Sequence, residues 1–381
     1  IVMPKSNEVK FGEYFNLPNP GLKSYFDIVI KGQPDEYRTT FARGSSLSKV
    51  LADWKPTVDR IGDRWPTLLD FENDLAKKVG PLSIMKPLEE RMDDIDSYYD
   101  SILLESTPIS DSAVAAVLSE WGSHRGLSLR GQRATVENMK LSTNSGSPYF
   151  TKRRAVVDKT VPVKLEHLGV QTKQILPKED WFAAAVLGWR GQEGGPTDED
   201  VKQRVVWMFP FGVNICELQV YQPLIEVAQK ALLVPAWVGL EAVDSAITKL
   251  FDTKGKNDLI ICTDFSKFDQ HFNKDMQNCA KSILAKLLNN SAESRDWLEN
   301  VFPVKYNIPL AYSMDKVRHG AHGMGSGSGG TNADETLTHR ALQYEAAQSK
   351  NQRLNPNSQC LGDDGILSYP GITVEDVVRS Y

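Results

Sequence analysis

Asp258-Leu-Ile-Ile-Cys-Thr-Asp264 is a short apolar run, rich in branched residues and closed by acid. That pattern predicts a buried β-strand that delivers Asp264 at its C-terminal end. Downstream, Met276, Cys279, Ala280, Ile283, Leu284 and Leu287 recur at helical spacing, which predicts an amphipathic helix packed on that strand. Gly320 to Gly330 then reads as a flexible loop running into Thr331-Asn332-Ala-Asp334-Glu335, a capped helix start with acids in its first turn, continued by Leu337, Ala341 and Tyr344. Cys360-Leu-Gly362-Asp363-Asp364-Gly365-Ile366-Leu367 reads as two strand halves around a tight turn.

Three acids, Asp264, Asp363 and Asp364, thus fall at a strand end or in a hairpin turn, positions that can project carboxylates into one cleft. Two unit charges ~4 Å apart repel by ~4 kcal/mol at an effective dielectric near 20, so such a cluster needs a counter-ion or proton uptake. Oxygen-only ligands select hard cations, Mg²⁺ or Mn²⁺. Two such ions side by side can clamp the attacking and leaving oxygens of a phosphoryl transfer. Taken singly, Asp-Asp in a turn is ordinary turn chemistry and a Gly-Ser run is an ordinary linker.

Outward from this segment, Pro66 to about Gly122 is helical, with Leu68, Leu69, Phe71 and Leu75, then Met85, Leu88, Met92, Ile95 and Tyr99 near the helical period. Cys216 to Leu233 is predicted as a helix, and Gly191 to Asp200, containing Gly194-Gly195-Pro196, as a loop. Between His124 and Lys178 basic residues far outnumber the acids Glu137, Asp158 and Glu166, a candidate polyanion track. The whole chain of 381 residues carries 44 basic and 49 acidic side chains, net −5, so any polyanion site is local. Its 41% hydrophobic and 24% charged composition excludes wholesale disorder and a disulfide scaffold. Cys216, Cys262, Cys279 and Cys360 lie far apart with no zinc-ligand spacing, which fits free thiols in a reducing compartment. No apolar run reaches the ~20 residues of a membrane span, so the chain is expected to be soluble.

The order of the pieces carries a resemblance. Asp264-x4-Asp269, Ser326-Gly327-x3-Thr331 and Gly362-Asp363-Asp364 resemble the three palm motifs A, B and C of viral RNA-dependent RNA polymerases. Ser145-Gly146-Ser147-Pro148-Tyr149 resembles the motif (G) at which template enters, and Lys202-Gln-Arg204 resembles the end of the fingers motif (F). The wording Thr263-Asp-Phe-Ser-Lys-Phe-Asp-Gln-His271 with Gly327-Ser-Gly-Gly-Thr-Asn-Ala-Asp-Glu-Thr336 resembles picobirnaviruses in particular, double-stranded RNA viruses.

The resemblance implies an α/β fold, a right-hand polymerase whose palm holds a small antiparallel sheet. Residues 1–122 would form a helical N-terminal region, 123–256 the fingers, and 257–381 the palm, with a fingers return about 272–319. It implies an RNA-directed RNA polymerase serving transcription and replication of a viral genome. Asp264, Asp363 and Asp364 would hold two Mg²⁺ ions, or Mn²⁺ in their place, with the Phe265 carbonyl completing a shell. Asp269, Lys202, Arg204, Ser326, Gly327, Thr331 and Asn332 would bind the nucleotide, and Ser145, Gly146, Pro148 and Tyr149 the template. Many relatives place Asn four residues after the motif B Thr, where this chain has Glu335. Template and product RNA, ribonucleoside triphosphates and a capsid protein are the expected partners, and the virion interior and host cytoplasm the expected location. Because Tyr381 follows Asp364 closely, the later palm motif with its general-acid Lys, the primer-grip hairpin and the thumb are expected to be missing. A reverse transcriptase, or an RNA-binding virion protein or inactive fragment using only the basic track, are the alternatives; a carboxylate at position 269 argues for ribonucleotides.

Overall fold

The computed structural model describes residues 9–33, 45–76, 84–192 and 197–381. Its first part is helical: α1 (Pro20–Lys31), α2 (Leu47–Gly62), α3 (Pro66–Ala76), α4 (Leu88–Asp100), α5 (Asp111–Trp121), α6 (Gln132–Glu137) and α7 (Val157–Thr160). Local chemistry starts these helices. Asn19 caps α1 by accepting from the Leu22 N–H, with Pro20 at the first helical position, and Ser110 caps α5 by accepting from Ala113. The apolar stripe of α3 does not enter a core: Leu68, Phe71 and Leu75 are exposed, and α3 packs chiefly against α2.

Strands β1 (Lys164–His167), β2 (Thr172–Ile175) and β3 (Asp180–Phe182) form an antiparallel sheet. β4 (Ala185–Gln192) and β5 (Lys202–Met208) pair as a long hairpin. The connection predicted over 191–200 is thus partly strand, and Gly194-Gly195-Pro196 lies outside the described residues. Next come α8 (Phe211–Lys230), which begins five residues before the expected start, α9 (Pro235–Val238) and α10 (Leu240–Thr253).

The decisive segment follows: β6 (Ile261–Asp264), α11 (Phe268–His271), α12 (Lys274–Leu287), α13 (Ala292–Asn300), β7 (Leu310–Ser313), β8 (Lys316–Arg318), α14 (Thr331–Gln348), β9 (Gln359–Leu361), β10 (Asp364–Leu367) and α15 (Val374–Ser380). β7 runs parallel to β4, so the chain returns to the earlier hairpin to complete a sheet of order β5-β4-β7-β8. The small sheet β6-β10-β9 is antiparallel throughout.

Three local expectations are corrected. β6 is an edge strand covered on one face only, so it alternates rather than being buried. Ile261 packs into the cluster of Leu354, Leu367, Tyr369 and Ile372, whereas Cys262 and Asp264 face outward. That alternation is what exposes Asp264. α12 buries Cys279, Ala280, Ile283, Leu284 and Leu287 as expected, but packs chiefly on α14 and α5 instead of the strand. α14 begins at an uncapped Gly330; Thr331 donates its hydroxyl back to the Gly325 and Ser328 carbonyls. This helix is buried nearly all round, and Asp334, Thr336, His339 and Gln343 on it are held by hydrogen bonds, as a central helix requires. Among the described residues no helix is long and apolar enough to cross a membrane.

Candidate active site

The Gly362-Asp363 turn joins β9 to β10 with Gly362 at φ +55°, a left-handed conformation that favours glycine. Its N–H donates to Thr336 Oγ1 at 2.9 Å, and its carbonyl lies 2.8 Å from His339 Nδ1. Both partners come from α14, so the central helix fixes the turn. His339 Nε2 lies 3.0 Å from the Tyr381 hydroxyl, and burial holds the ring at a pKa of about 4, neutral. One nitrogen therefore donates to Gly362 and the other accepts from Tyr381.

Pairing of β6 with β10 sets Asp264 opposite Asp364. Asp264, Asp363 and Asp364 each offer an oxygen, and these atoms all lie within 4.8 Å of one another. Burial, then the neighbouring Asp364, raises the Asp363 carboxyl above its ordinary range. An open, all-oxygen, mutually repelling donor set fits hard divalent cations. The Phe265 N–H donates to the Asp363 carbonyl at 3.4 Å, which ties motif A to the turn. Its ring stacks between Phe268, 4.1 Å away, and Tyr381, 5.2 Å away.

Asp269 follows on α11, half-buried, with its carbonyl accepting the Met324 N–H at 2.8 Å at the mouth of the glycine loop. Glu335 meets it there. Burial, then Asp269, pushes the Glu335 carboxyl well above the ordinary range. Tyr98, buried on α4, places its hydroxyl beside Ser326 and within the field of Asp269 and Glu335.

The glycine loop lies against β5. Ser326 donates to the Val205 carbonyl at 3.0 Å, and a Cβ at Gly327 would overlap the Trp207 carbonyl. Asn332 Oδ1 accepts from Trp237 Nε1 at 2.7 Å. An amide oxygen held this way leaves the Asn332 NH₂ on the side of Gly362. Lys202 and Arg204 are exposed on β5, and Arg204 stands opposite Arg190, so two guanidinium groups share one hairpin edge.

Within the predicted template segment, Ser145, Gly146 and Pro148 are buried: Ser145 Oγ accepts the Thr151 N–H at 3.1 Å. These residues shape a turn. Tyr149 is half-exposed, with Lys159 Nζ 5.5 Å from its ring centre. Part of the basic track is internal, since Arg130 pairs with Glu226 and Arg153 donates to Asn214 at 2.8 Å. Arg133, Lys140, Lys152, Arg154, Lys159, Lys164 and Lys178 remain exposed.

Sequence reasoning missed Tyr98, Glu217, Trp237, Lys305 and His339. The available signal was charge inside apolar runs: Glu217 in Ile215-Cys-Glu-Leu and Lys305 in Pro303-Val-Lys-Tyr, each of which must be buried with a partner.

Comparison with known proteins agrees with this geometry. The family model described as viral RNA-dependent RNA polymerase matches residues 129–374. A protein of human picobirnavirus named "Potential RNA-dependent RNA polymerase" is 60% identical over 371 residues, 97% of this chain and 69% of the relative. Crystal structures of the RNA-dependent RNA polymerase of a human picobirnavirus, and of its insertion-loop deletion mutant, each match all of this chain at TM-score 0.89 and 59% identity. They are covered over 72% and 74% of their lengths. With its clustered carboxylates on an antiparallel hairpin below a glycine loop, the chain belongs to the viral RNA-dependent RNA polymerases, enzymes that join nucleotides on an RNA template.

Proposed function

We propose that Asp264, Asp363 and Asp364 hold two Mg²⁺ ions, with Mn²⁺ able to replace them, and that nucleotidyl transfer from ribonucleoside triphosphates to an RNA 3′ end takes place beside them. The observation that carries this is the meeting of three carboxylates within 4.8 Å at the β6–β10 pair. Bound ions would activate the 3′-hydroxyl and neutralise the pyrophosphate leaving group, which leaves the protein a positional and electrostatic task.

The side chains divide that task. Asp269, next to the buried Glu335 carboxyl, is placed to accept a hydrogen bond from a ribose hydroxyl, while Asn332 offers amide hydrogens from the other side of the turn. Ser326, Gly327 and Thr331 shape a backbone surface close enough for a nucleotide to lie against. Lys202 and Arg204, with Arg190 opposite, supply the positive edge for the triphosphate. Tyr149 and Lys159 meet the template, with Ser145, Gly146 and Pro148 fixing the turn beneath them. The Phe265 carbonyl would complete a metal shell. Residues 1–122, 123–256 and 257–381 are assigned as N-terminal region, fingers and palm. A viral capsid protein as partner, and action inside the virion and in host cytoplasm, belong to the same proposal, which the likeness to picobirnavirus polymerases supports.

The test is template-dependent incorporation of labelled ribonucleotides in Mg²⁺ or Mn²⁺ by the chain and its Asp363→Ala variant. Activity lost on substitution is the expected result. Full activity in the variant would remove the carboxylates from the chemistry.

A further inference from the structure

Glu217 lies on α8 with no solvent exposure. Its carboxylate accepts from Asn214 Nδ2 at 3.0 Å, from the Ser328 hydroxyl, and from the Gly329 N–H at 3.2 Å. Asn214 also donates to the Gly327 carbonyl at 3.4 Å. A second buried centre stands at the other end of the glycine loop. Lys305 Nζ lies 3.0 Å from Asp334 Oδ2, and Asp334 accepts the hydroxyls of Tyr221 and Tyr306 at 2.7 Å each. Lys305 also donates to the Phe302 carbonyl at 2.9 Å and sits 3.8 Å from that ring's centre. Its own carbonyl accepts the Gly325 N–H at 3.1 Å.

Three fully buried ionisable side chains, one basic and two acidic, are costly: each ion loses several kcal/mol of hydration that only pairing and hydrogen bonds restore. Apolar side chains would fill the space at lower cost. What the charges hold is a segment that cannot shape itself. Positions 325, 327, 329 and 330 are glycine, with no side chain to pack and maximal backbone freedom. Lys305 attracts Glu217 and offsets part of its burial penalty.

Building on the nucleotide-site reading above, we propose that Glu217 is the positioning residue of the 325–330 loop: by accepting from Ser328 and Gly329 it fixes the loop against β5 in the shape that receives the incoming ribonucleotide, with Lys305 and Asp334 as the buried counter-charge. Glu217 touches no substrate. It acts on affinity through the loop.

Two readouts on the whole chain test this: hydrogen–deuterium exchange over 323–332, and the kcat and KM of ribonucleotide incorporation on a primed homopolymer template. The variants are Glu217→Gln, Ser328→Ala and the pair together. Each single change is expected to speed exchange over 323–332 while 359–367 stays protected, and to raise KM about tenfold, the scale of one buried hydrogen bond left unmade, with kcat within about threefold. The double variant should fall short of the sum of the two single ones, because both weaken the Glu217–Ser328 contact, Gln by removing its charge and Ala by removing the hydroxyl, which also accepts the Gly330 N–H at 3.0 Å. Unchanged exchange in Ser328→Ala, a fall in kcat with KM constant, or full additivity would overturn the proposal. Should Glu217→Gln not fold, the half-exposed Ser328 carries the test by itself. A native chain that incorporates nothing would sink the nucleotide reading, while the exchange readout still decides the anchoring.

Discussion

Asp364 lies directly opposite Asp264 across the antiparallel pair of β10 and β6. Like charges at opposed ladder positions destabilise a sheet, so this fold keeps the two acids together against their own repulsion. Asp264→Asn is therefore expected to stabilise the metal-free protein, by about 1 kcal/mol, and to weaken the stabilisation that added Mg²⁺ brings by mass action. Thermal melts with chelator and with Mg²⁺ check both signs. A lower melting point for the variant in chelator would show that the acids do not repel.

Gly327 and Gly362 are both required, for different physical reasons. A Cβ at Gly327 would overlap the Trp207 carbonyl, a backbone group that cannot swing away, whereas at Gly362 it meets only ordinary contacts and the strain is the φ of +55°. Gly327→Ala should cost more than about 2 kcal/mol or displace the loop, and Gly362→Ala about 1 kcal/mol. Urea denaturation of the two variants measures the order, and the reverse order would refute it.

His339 makes stability depend on pH. Its folded pKa of about 4 lies below the ordinary 6.5, so the unfolded chain takes the proton first as pH falls. The stability it contributes is present above pH 6.5 and lost as pH drops from 6.5 towards 4, up to about 3 kcal/mol. His339→Gln should flatten that part of the curve. Parallel curves for the two proteins would rule out His339 as the source.

Trp237 orients Asn332 from outside the palm motifs. Trp237→Phe keeps an aromatic ring and deletes the N–H donor, so the Asn332 amide oxygen is left only the long, 3.5 Å contact with the Thr336 hydroxyl. Stability is expected to change by less than about 1 kcal/mol, and the preference for ribo- over deoxyribonucleotides to fall about threefold to tenfold. Competition between the two nucleotides for incorporation gives the answer; an unaltered ratio would remove Asn332 from sugar selection.

Elements that depend on near neighbours were readable in the chain. Within Asp258 to Asp264 the last four residues, Ile261 to Asp264, become strand, Cys360 to Leu367 a hairpin, and Met276 to Leu287 a helix, because strand alternation, turn glycine and helical period act over a few residues. The clustering acids were readable for the same reason, since each stands at the end of such an element or in its turn. Burial was less so: the 258–264 run looks like an interior strand until its place at a sheet edge turns Cys262 and Asp264 outward.

What the amino-acid order determined alone was the set of local devices: the acids at strand ends, the glycine-rich loop, the glycine turn, and the basic excess between 124 and 178. Tertiary structure decided which of these meet and what supports them. Glu217 and Ser328 are 111 residues apart, Lys305 and Asp334 sit on different elements, and Asp269 finds Glu335 only when α11 is laid against α14. A polar group's partner across such a separation is set by the packing that buries them both, because burial is what makes an unpaired polar group costly, and no local pattern carries that information.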